Sequence, residues 1–206
     1  MFLIIVGTGA MGQSVMECAK EDRTFDEIYM VEPLENNWPN KKADAIIDFS
    51  NPKAIKGIYD YCQRFNGNIP VVIGTTGQSS EEDYIIELLE KICPVVKKSN
   101  FSRGVNALNE IADKCHNLLP SSDIAISEMH HTMKKDSPSG TAKTLCDVLN
   151  LPYENVLSMR IGTMPGEHVV RFALEDEIIE IKHTAFSKKI FAKGAIEVTK
   201  LLIKID

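Results

Sequence analysis

The sequence is short of basic charge: 23 Lys and Arg stand against 29 Asp and Glu, a formal net charge of −6. That balance gives no electrostatic footprint for nucleic acid, whose phosphates are held mainly by clustered cations. Long apolar runs are also lacking. The first, FLIIV at Phe2–Val6, is far too short for a membrane span or a signal-peptide core. No basic residue precedes it and glycines follow at once, so it reads as a strand. The five cysteines, Cys18, Cys62, Cys93, Cys115 and Cys146, are scattered, with no CxxC and no histidine pair nearby at metal-ligand spacing. HExxH is absent too. The expectation is a cytoplasmic protein with free thiols and no metal, its cysteines acting as small core residues. Neither an internal repeat nor a low-complexity segment is present, which excludes solenoids.

What is there is the composition of a globular protein, 44% hydrophobic and 25% charged over 206 residues, long enough for one or two domains. Apolar runs at Phe2–Val6, Glu27–Val31, Ala45–Phe49, Val71–Ile73 and Pro94–Val96 alternate with helical patterns at Met11–Lys20, Lys53–Phe65 and Ser80–Ile92. This alternation predicts a parallel sheet with crossover helices. Ser79 and Glu82 have the spacing of a capping box for the third helix. Between Val31 and Ala45 the Pro- and Asn-rich stretch PLENNWPNKKAD predicts a loop in place of a helix, with Trp38 as a local hydrophobic plug.

After a helical pattern at Val105–Leu119 the texture changes. Strand patterns at Asp123–Glu128, Val156–Ile161, Glu167–Leu174 and Ile178–Ala185 are interrupted by one helix at Thr141–Leu149. Strands with few helices between them predict a second lobe with a mixed or antiparallel sheet. The tail, Ala195–Ile203, reads as a helix able to return to the first lobe. The predicted fold is therefore α/β: a Rossmann-like nucleotide lobe of residues 1–101 plus about 190–206, and a smaller α+β lobe of 102–189 for substrate binding and oligomerisation.

Two stretches carry chemistry. GTGAMG, formed by Gly7, Thr8, Gly9, Ala10, Met11 and Gly12, has G-x-G-x-x-G spacing at the first strand–helix junction, where glycines admit a pyrophosphate to a helix N-terminus. Glu32 follows the next strand, placed to bond a ribose 2′-hydroxyl and to repel a 2′-phosphate, which predicts NADH over NADPH. The loops GTTG, with Gly74, Thr75 and Thr76, and KKSNFS, with Ser99, Asn100 and Phe101, leave the same predicted sheet edge and are placed to touch the nicotinamide half.

The second stretch is SEMHHTMKKDSPSGTAK, Ser127–Lys143. It places His130, His131 and Lys134 on a predicted loop between a strand and a helix. Ser137 or Ser139 caps that helix, Pro138 fits its first turn, and Gly140 with Thr141 leaves backbone amides uncovered. Titratable side chains beside a helix start suit the binding of a dianion and the movement of a proton.

The segment E-M-H-H-T-M-K-K-D-S-P-S-G-T-A resembles the signature of the dihydrodipicolinate reductase family of bacterial lysine and diaminopimelate synthesis. IDFSNP, IGTTG, NFSRGVN, PGEHVV and IKHTAFSKKIFAKGA extend the resemblance over nearly the whole chain, as in compact short-loop members. It implies hydride transfer from NAD(P)H to a small cyclic dicarboxylate imine, with dehydration of the 4-hydroxy form, giving tetrahydrodipicolinate. It also implies His130 in the catalytic histidine position and Lys134 as proton donor. His131, Ser139, Gly140 and Thr141 would hold the carboxylates, with cofactor contacts from Gly74, Thr75, Thr76, Asn100 and Phe101. A homotetramer built through the second lobe's sheet is implied as well.

Departures accompany the resemblance. The glycine fingerprint is one residue shorter than the family's, Ala10 stands where an arginine helps hold the NADPH phosphate, and Lys188 replaces another arginine. NADPH remains possible beside NADH. Two rival readings stand: a related amine or amino-acid dehydrogenase such as diaminopentanoate dehydrogenase, and a non-catalytic NAD(H)-sensing module. The intact H-H-x-x-K-x-D-x-P-S-G-T-A argues against the first, because it suits a dicarboxylate.

Overall fold

Strands that are buried at every position must be covered on both faces. Phe2–Val6 (β1), Ala45–Asp48 (β3) and Val71–Ile73 (β4) are of this kind. With Glu27–Val31 (β2) and Val95–Lys97 (β5) they form an all-parallel sheet of order β2-β1-β3-β4-β5. A computed structural model describes residues 1–35 and 37–204.

Chain packing divides into two compact units, Met1–Phe101 with Phe191–Asp206, and Ser102–Ile190. In the first, alternate residues of β1 feed two cores. Ile4 and Val6 pack with Ile55, Ile58 and Leu89 from Ala54–Arg64 (α2) and Ser80–Glu90 (α3). Leu3 and Ile5 pack with Val15 of Ala10–Glu21 (α1) and with Ala195 and Ile196. The capping box forms at α3, where the Ser79 N–H donates to Glu82 Oε2 at 2.7 Å. Between β2 and β3 the described residues hold a single 3-10 turn, Pro33–Glu35, and Trp38 packs on Tyr61 with ring centroids 5.2 Å apart. The sequence of β2 on one side of β1 and β3 on the other makes the carboxyl ends of β1 and β3 the place where the strand order reverses.

The second unit is a mixed four-stranded sheet. Asp123–His130 (β6) pairs parallel with Val156–Arg160 (β7) and antiparallel with Gly166–Ala173 (β8), which pairs antiparallel with Ile178–Ala185 (β9). Arg103–Leu118 (α4) and Gly140–Leu149 (α5) bury Leu108, Leu145 and Leu149 against Ile126, Val170 and Phe172 on one face.

Two boundaries differ from the sequence patterns in ways that matter. β6 runs two residues beyond Glu128, so His130 is the last residue of a strand and not part of a loop. The tail helix, Lys189–Ile203 (α6), begins six residues before the predicted Ala195, and within it the first compact unit resumes at Phe191.

Gly194 fixes how α6 sits on the first unit. A Cβ built there would lie 1.8 Å from the Phe101 carbonyl oxygen, so helix and loop meet backbone to backbone. Gly194→Ala is expected to lower stability by about 1–3 kcal/mol through overpacking, read as a lower urea midpoint at constant m-value. An unchanged midpoint would show that α6 does not rest on Phe101.

Candidate functional site

The first unit gathers the predicted nucleotide residues at the carboxyl edge of its sheet. Gly7 leaves β1 at φ +105, a conformation that favours glycine, and a Cβ on Gly12 would stand 1.9 Å from the Gly7 carbonyl oxygen. The turn thus needs glycine at both positions to bring the N-terminus of α1 close to the strand end. Ala10, Met11 and Gly12 already belong to α1, and Gly9 is its N-cap. Thr8 Oγ1 donates to Glu32 Oε2 at 2.7 Å, which sets the Glu32 carboxylate beside this turn. Backbone amides at a helix start and an acid at the neighbouring strand end are the two partners that a pyrophosphate and a ribose require.

Gly74 directly follows β4, Thr76 is exposed, and Ser99 and Asn100 follow β5. Thr75 is 6% exposed, and its Oγ1 accepts the Ser50 N–H at 2.8 Å. Phe101 is likewise buried, meeting Phe49 edge-on at 5.9 Å between centroids. Both act from inside the loops they belong to.

The second unit is organised around a carboxylate to which the sequence pattern attached no role. Glu128, 1% exposed, accepts from both Arg160 terminal nitrogens, at 2.9 Å on Oε2 and 2.8 Å on Oε1. His130 Nδ1 bonds the same Oε2, and the Ser139 N–H reaches Oε1 at 3.3 Å. Arg160 also donates to the Asp136 carbonyl at 2.7 Å. The segment from His130 to Ser139 is therefore tied to one ion pair, by Glu128 at its start and end and by Arg160 in its middle. Lys134, between these ties, pairs with Asp136 at 2.8 Å.

Burial alone would raise the Glu128 pKa, but the hydrogen bonds from Arg160 and His130 overcome it and hold the carboxyl at about 2. An ionised Glu128 accepts, so the proton of neutral His130 sits on Nδ1 and its Nε2 is left as an acceptor. Burial lowers the His130 pKa more than Glu128 raises it, so the ring is neutral near pH 7. His168, 4% exposed, lies 5.1 Å away ring to ring, its pKa pushed down to about 3 by burial and by His130.

Ser139, and not Ser137, caps α5: its Oγ accepts the Ala142 N–H at 3.2 Å and lies 3.0 Å from His168 Nε2. Pro138 precedes the cap instead of lying in the first turn. Gly140 and Thr141 then open the helix, and His131 is half-buried just past the strand end. Strand register explains the cluster: Ser158, Glu128, His168 and His183 stand opposite one another on β7, β6, β8 and β9. Arg160 and His168 are the side chains of this cluster to which the sequence pattern attached no role. A usable signal was PGEHVV, with one histidine among apolar residues of a strand.

Family models place the chain in order. "Dihydrodipicolinate reductase, N-terminus" matches residues 31–101, and "Dihydrodipicolinate reductase, C-terminus" matches 104–205. The chain is 38% identical over 205 residues to a 4-hydroxy-tetrahydrodipicolinate reductase of Thermosipho africanus, covering 98% of this chain and 91% of that one. It is 36% identical to the reductase of that name from Brachyspira hyodysenteriae, with 98% and 94% covered. Among solved structures, dipicolinate-bound dihydrodipicolinate reductase from Paenisporosarcina sp. superposes with a TM-score of 0.78 at 19% identity, over 99% of this chain and 95% of that one, a likeness of fold.

Glu128 links this cluster to acid stability. Its folded pKa lies below the ordinary 4.5, so its contribution is present above pH 4.5 and is lost as pH falls toward about 2. A shift of that size corresponds to roughly 3 kcal/mol. Arg160→Met leaves a buried charge unpaired and is expected to remove about 3–5 kcal/mol at pH 7, together with most of the wild-type fall between pH 4.5 and pH 2. Urea unfolding across that range measures both. A variant as stable as wild type at pH 7 would refute the anchoring role of the pair.

Proposed function

The chain belongs to the dihydrodipicolinate reductase family and is an NAD(P)H-dependent oxidoreductase of the diaminopimelate route of lysine biosynthesis; we propose that it works with NADH and that the segment anchored by Glu128 carries the chemistry. The reaction reduces 4-hydroxy-tetrahydrodipicolinate to tetrahydrodipicolinate, with loss of water. The observation that carries the residue assignment is the attachment of one segment, at three points, to a single ion pair, Glu128 with Arg160.

Reduced nicotinamide, when bound, supplies the hydride. Gly7, Gly9 and Gly12 with Thr8, Ala10 and Met11 cradle its pyrophosphate, and Glu32 takes the ribose hydroxyls. Gly74, Thr75, Thr76, Ser99, Asn100 and Phe101 shape the loops toward the nicotinamide half. The Glu32 carboxylate beside the turn disfavours a 2′-phosphate, and Ala10 offers it no cation, which supports NADH over NADPH.

On the second unit the uncovered amides of Gly140 and Thr141, with Ser139 and His131, hold the two carboxylates of the ring. Lys134 donates the proton that the reduced ring gains. The Lys134 charge lies near enough to disfavour protonation of His130, which stays neutral, so the ammonium is the acid of this pair at neutral pH. The dipicolinate named with the Paenisporosarcina structure is a ring dicarboxylate of the kind this set would hold. Cytoplasmic localisation follows the pathway's substrates. The outer row of β7, with Leu157 68% and Met159 45% exposed, supports assembly through the second unit's sheet into a homotetramer.

A coupled assay with freshly made product of the preceding synthase tests the proposal. NADH is expected to support turnover better than NADPH, and Glu32→Ala narrows that preference. Lys134→Ala should lower kcat by about 10²–10⁴-fold, the usual size of a lost general acid, with NADH affinity kept. NADH binding without turnover on either cofactor would favour a nucleotide sensor, and an unaltered kcat in Lys134→Ala would remove lysine from the reaction.

A further inference from the structure

The turn after β3 is where the candidate nucleotide loops converge. A Cβ on Gly7 would lie 2.5 Å from the Phe49 carbonyl oxygen and 2.9 Å from Ser50 Cβ, and one on Gly74 would lie 2.1 Å from the Phe49 ring. Phe101, from the loop after β5, meets the same ring. Three loops leaving three different strands therefore rest on residues 48–50.

Asp48 holds that turn. It is 2% exposed, at the last position of β3. Its Oδ1 accepts the Ser50 N–H at 3.1 Å and the Ser50 hydroxyl, and the Thr75 hydroxyl beside it helps to stabilise the same carboxylate. The Ser50 N–H is shared with Thr75 Oγ1 at 2.8 Å, Gly74 N–H donates to the Asp48 carbonyl at 2.8 Å, and Gln78 Nε2 donates to the Thr75 carbonyl at 2.8 Å. Every partner of the carboxylate is a neutral donor. Among the described residues no cation acts on it, and burial pushes its pKa up to about 6.

A buried carboxylate without a cation weakens a fold unless something else requires it. An asparagine would fill the same space with one acceptor and one donor. A carboxylate accepts only, and so turns both hydroxyls, of Ser50 and of Thr75, inward at once. We infer that Asp48 is a positioning residue of the dinucleotide site: by drawing the Ser50 and Thr75 hydroxyls onto one acceptor it locks the turn after β3 to the loop after β4, and so fixes the backbone that Gly74, Thr76 and Gly77 offer to the nucleotide. Asp48 itself touches no ligand. The inference rests on the assignment of this sheet edge to the dinucleotide.

Direct titration with NADH, followed by its fluorescence, and with pyridine-2,6-dicarboxylate by calorimetry tests it. Asp48→Asn is expected to weaken NADH binding by about tenfold, the scale of a small misplacement of a binding loop. Dicarboxylate binding should stay within about twofold, while the Tm at pH 8 equals or exceeds wild type because a buried charge is gone. Thr75→Val should weaken NADH in the same sense, and Thr75→Ser, which returns the hydroxyl, should recover it. NADH binding unchanged in Asp48→Asn and Thr75→Val, or both ligands weakened together with a fall in Tm, overturns the inference by leaving Asp48 a purely structural role. Wild-type protein that binds no NADH overturns the dinucleotide assignment, and the positioning role with it.

Discussion

The second unit depends on one interaction, the buried pairing of Glu128 with Arg160. A carboxylate sealed from water between two strands is tenable only if cations or donors fill its lone pairs. Here two guanidinium nitrogens, an imidazole and a backbone amide share the task. The consequence is geometric. Residues 130–139 would otherwise be a surface loop with four lysine or histidine side chains free to wander. The network instead pins its first residue, the Asp136 carbonyl and the cap of α5, leaving Lys134 on a short tether.

The first unit uses an acid to the same end under different electrostatics. Glu128 has a cation and its pKa is pulled down to about 2, whereas Asp48 has only hydroxyl and amide donors and is raised to about 6. Asp48 ends its strand and Glu128 lies two residues before the end of its own, and both collect the loops that follow. Parallel pairing makes this possible: every strand of the first sheet ends on the same edge, so a single side chain there reaches several loops. Gly7, in the turn after β1, serves this convergence, since the Phe49 carbonyl occupies the space a side chain there would need.

Much of this was legible in the sequence, for identifiable reasons. Strands of the first unit are short apolar runs between glycines and prolines, and burial on both faces makes such runs unambiguous. The glycine fingerprint and the histidine–lysine segment are local in sequence and could be read whole. His130 was misplaced onto a loop because the inward positions at the end of β6, Glu128 and His130, are polar, which breaks the alternation that announces a strand. Sheet pairing with β7 and β8 continues regardless, because Arg160 satisfies Glu128 from across the sheet and Glu128 in turn bonds His130. Arg160 lies 32 residues from Glu128 in the chain. No spacing rule within one sequence connects such a pair, since the connection is made by strand register. The inward turn of the Thr75 hydroxyl was hidden for a similar reason: its partners, Asp48 and Ser50, follow a neighbouring strand.

The central claim is that an ionised Glu128 dictates the protonation and direction of His130, and through the same carboxylate the position of the segment bearing Lys134. Nitrogen-15 NMR of histidine-labelled protein, with carbon-13 detection of the Glu128 carboxyl between pH 4 and pH 8, reads both partners at once. The account predicts His130 protonated at Nδ1 and bare at Nε2 at pH 7, with a Glu128 carboxyl that does not titrate anywhere in that range. A His130 protonated only at Nε2, or a Glu128 carboxyl titrating near neutrality, would contradict it.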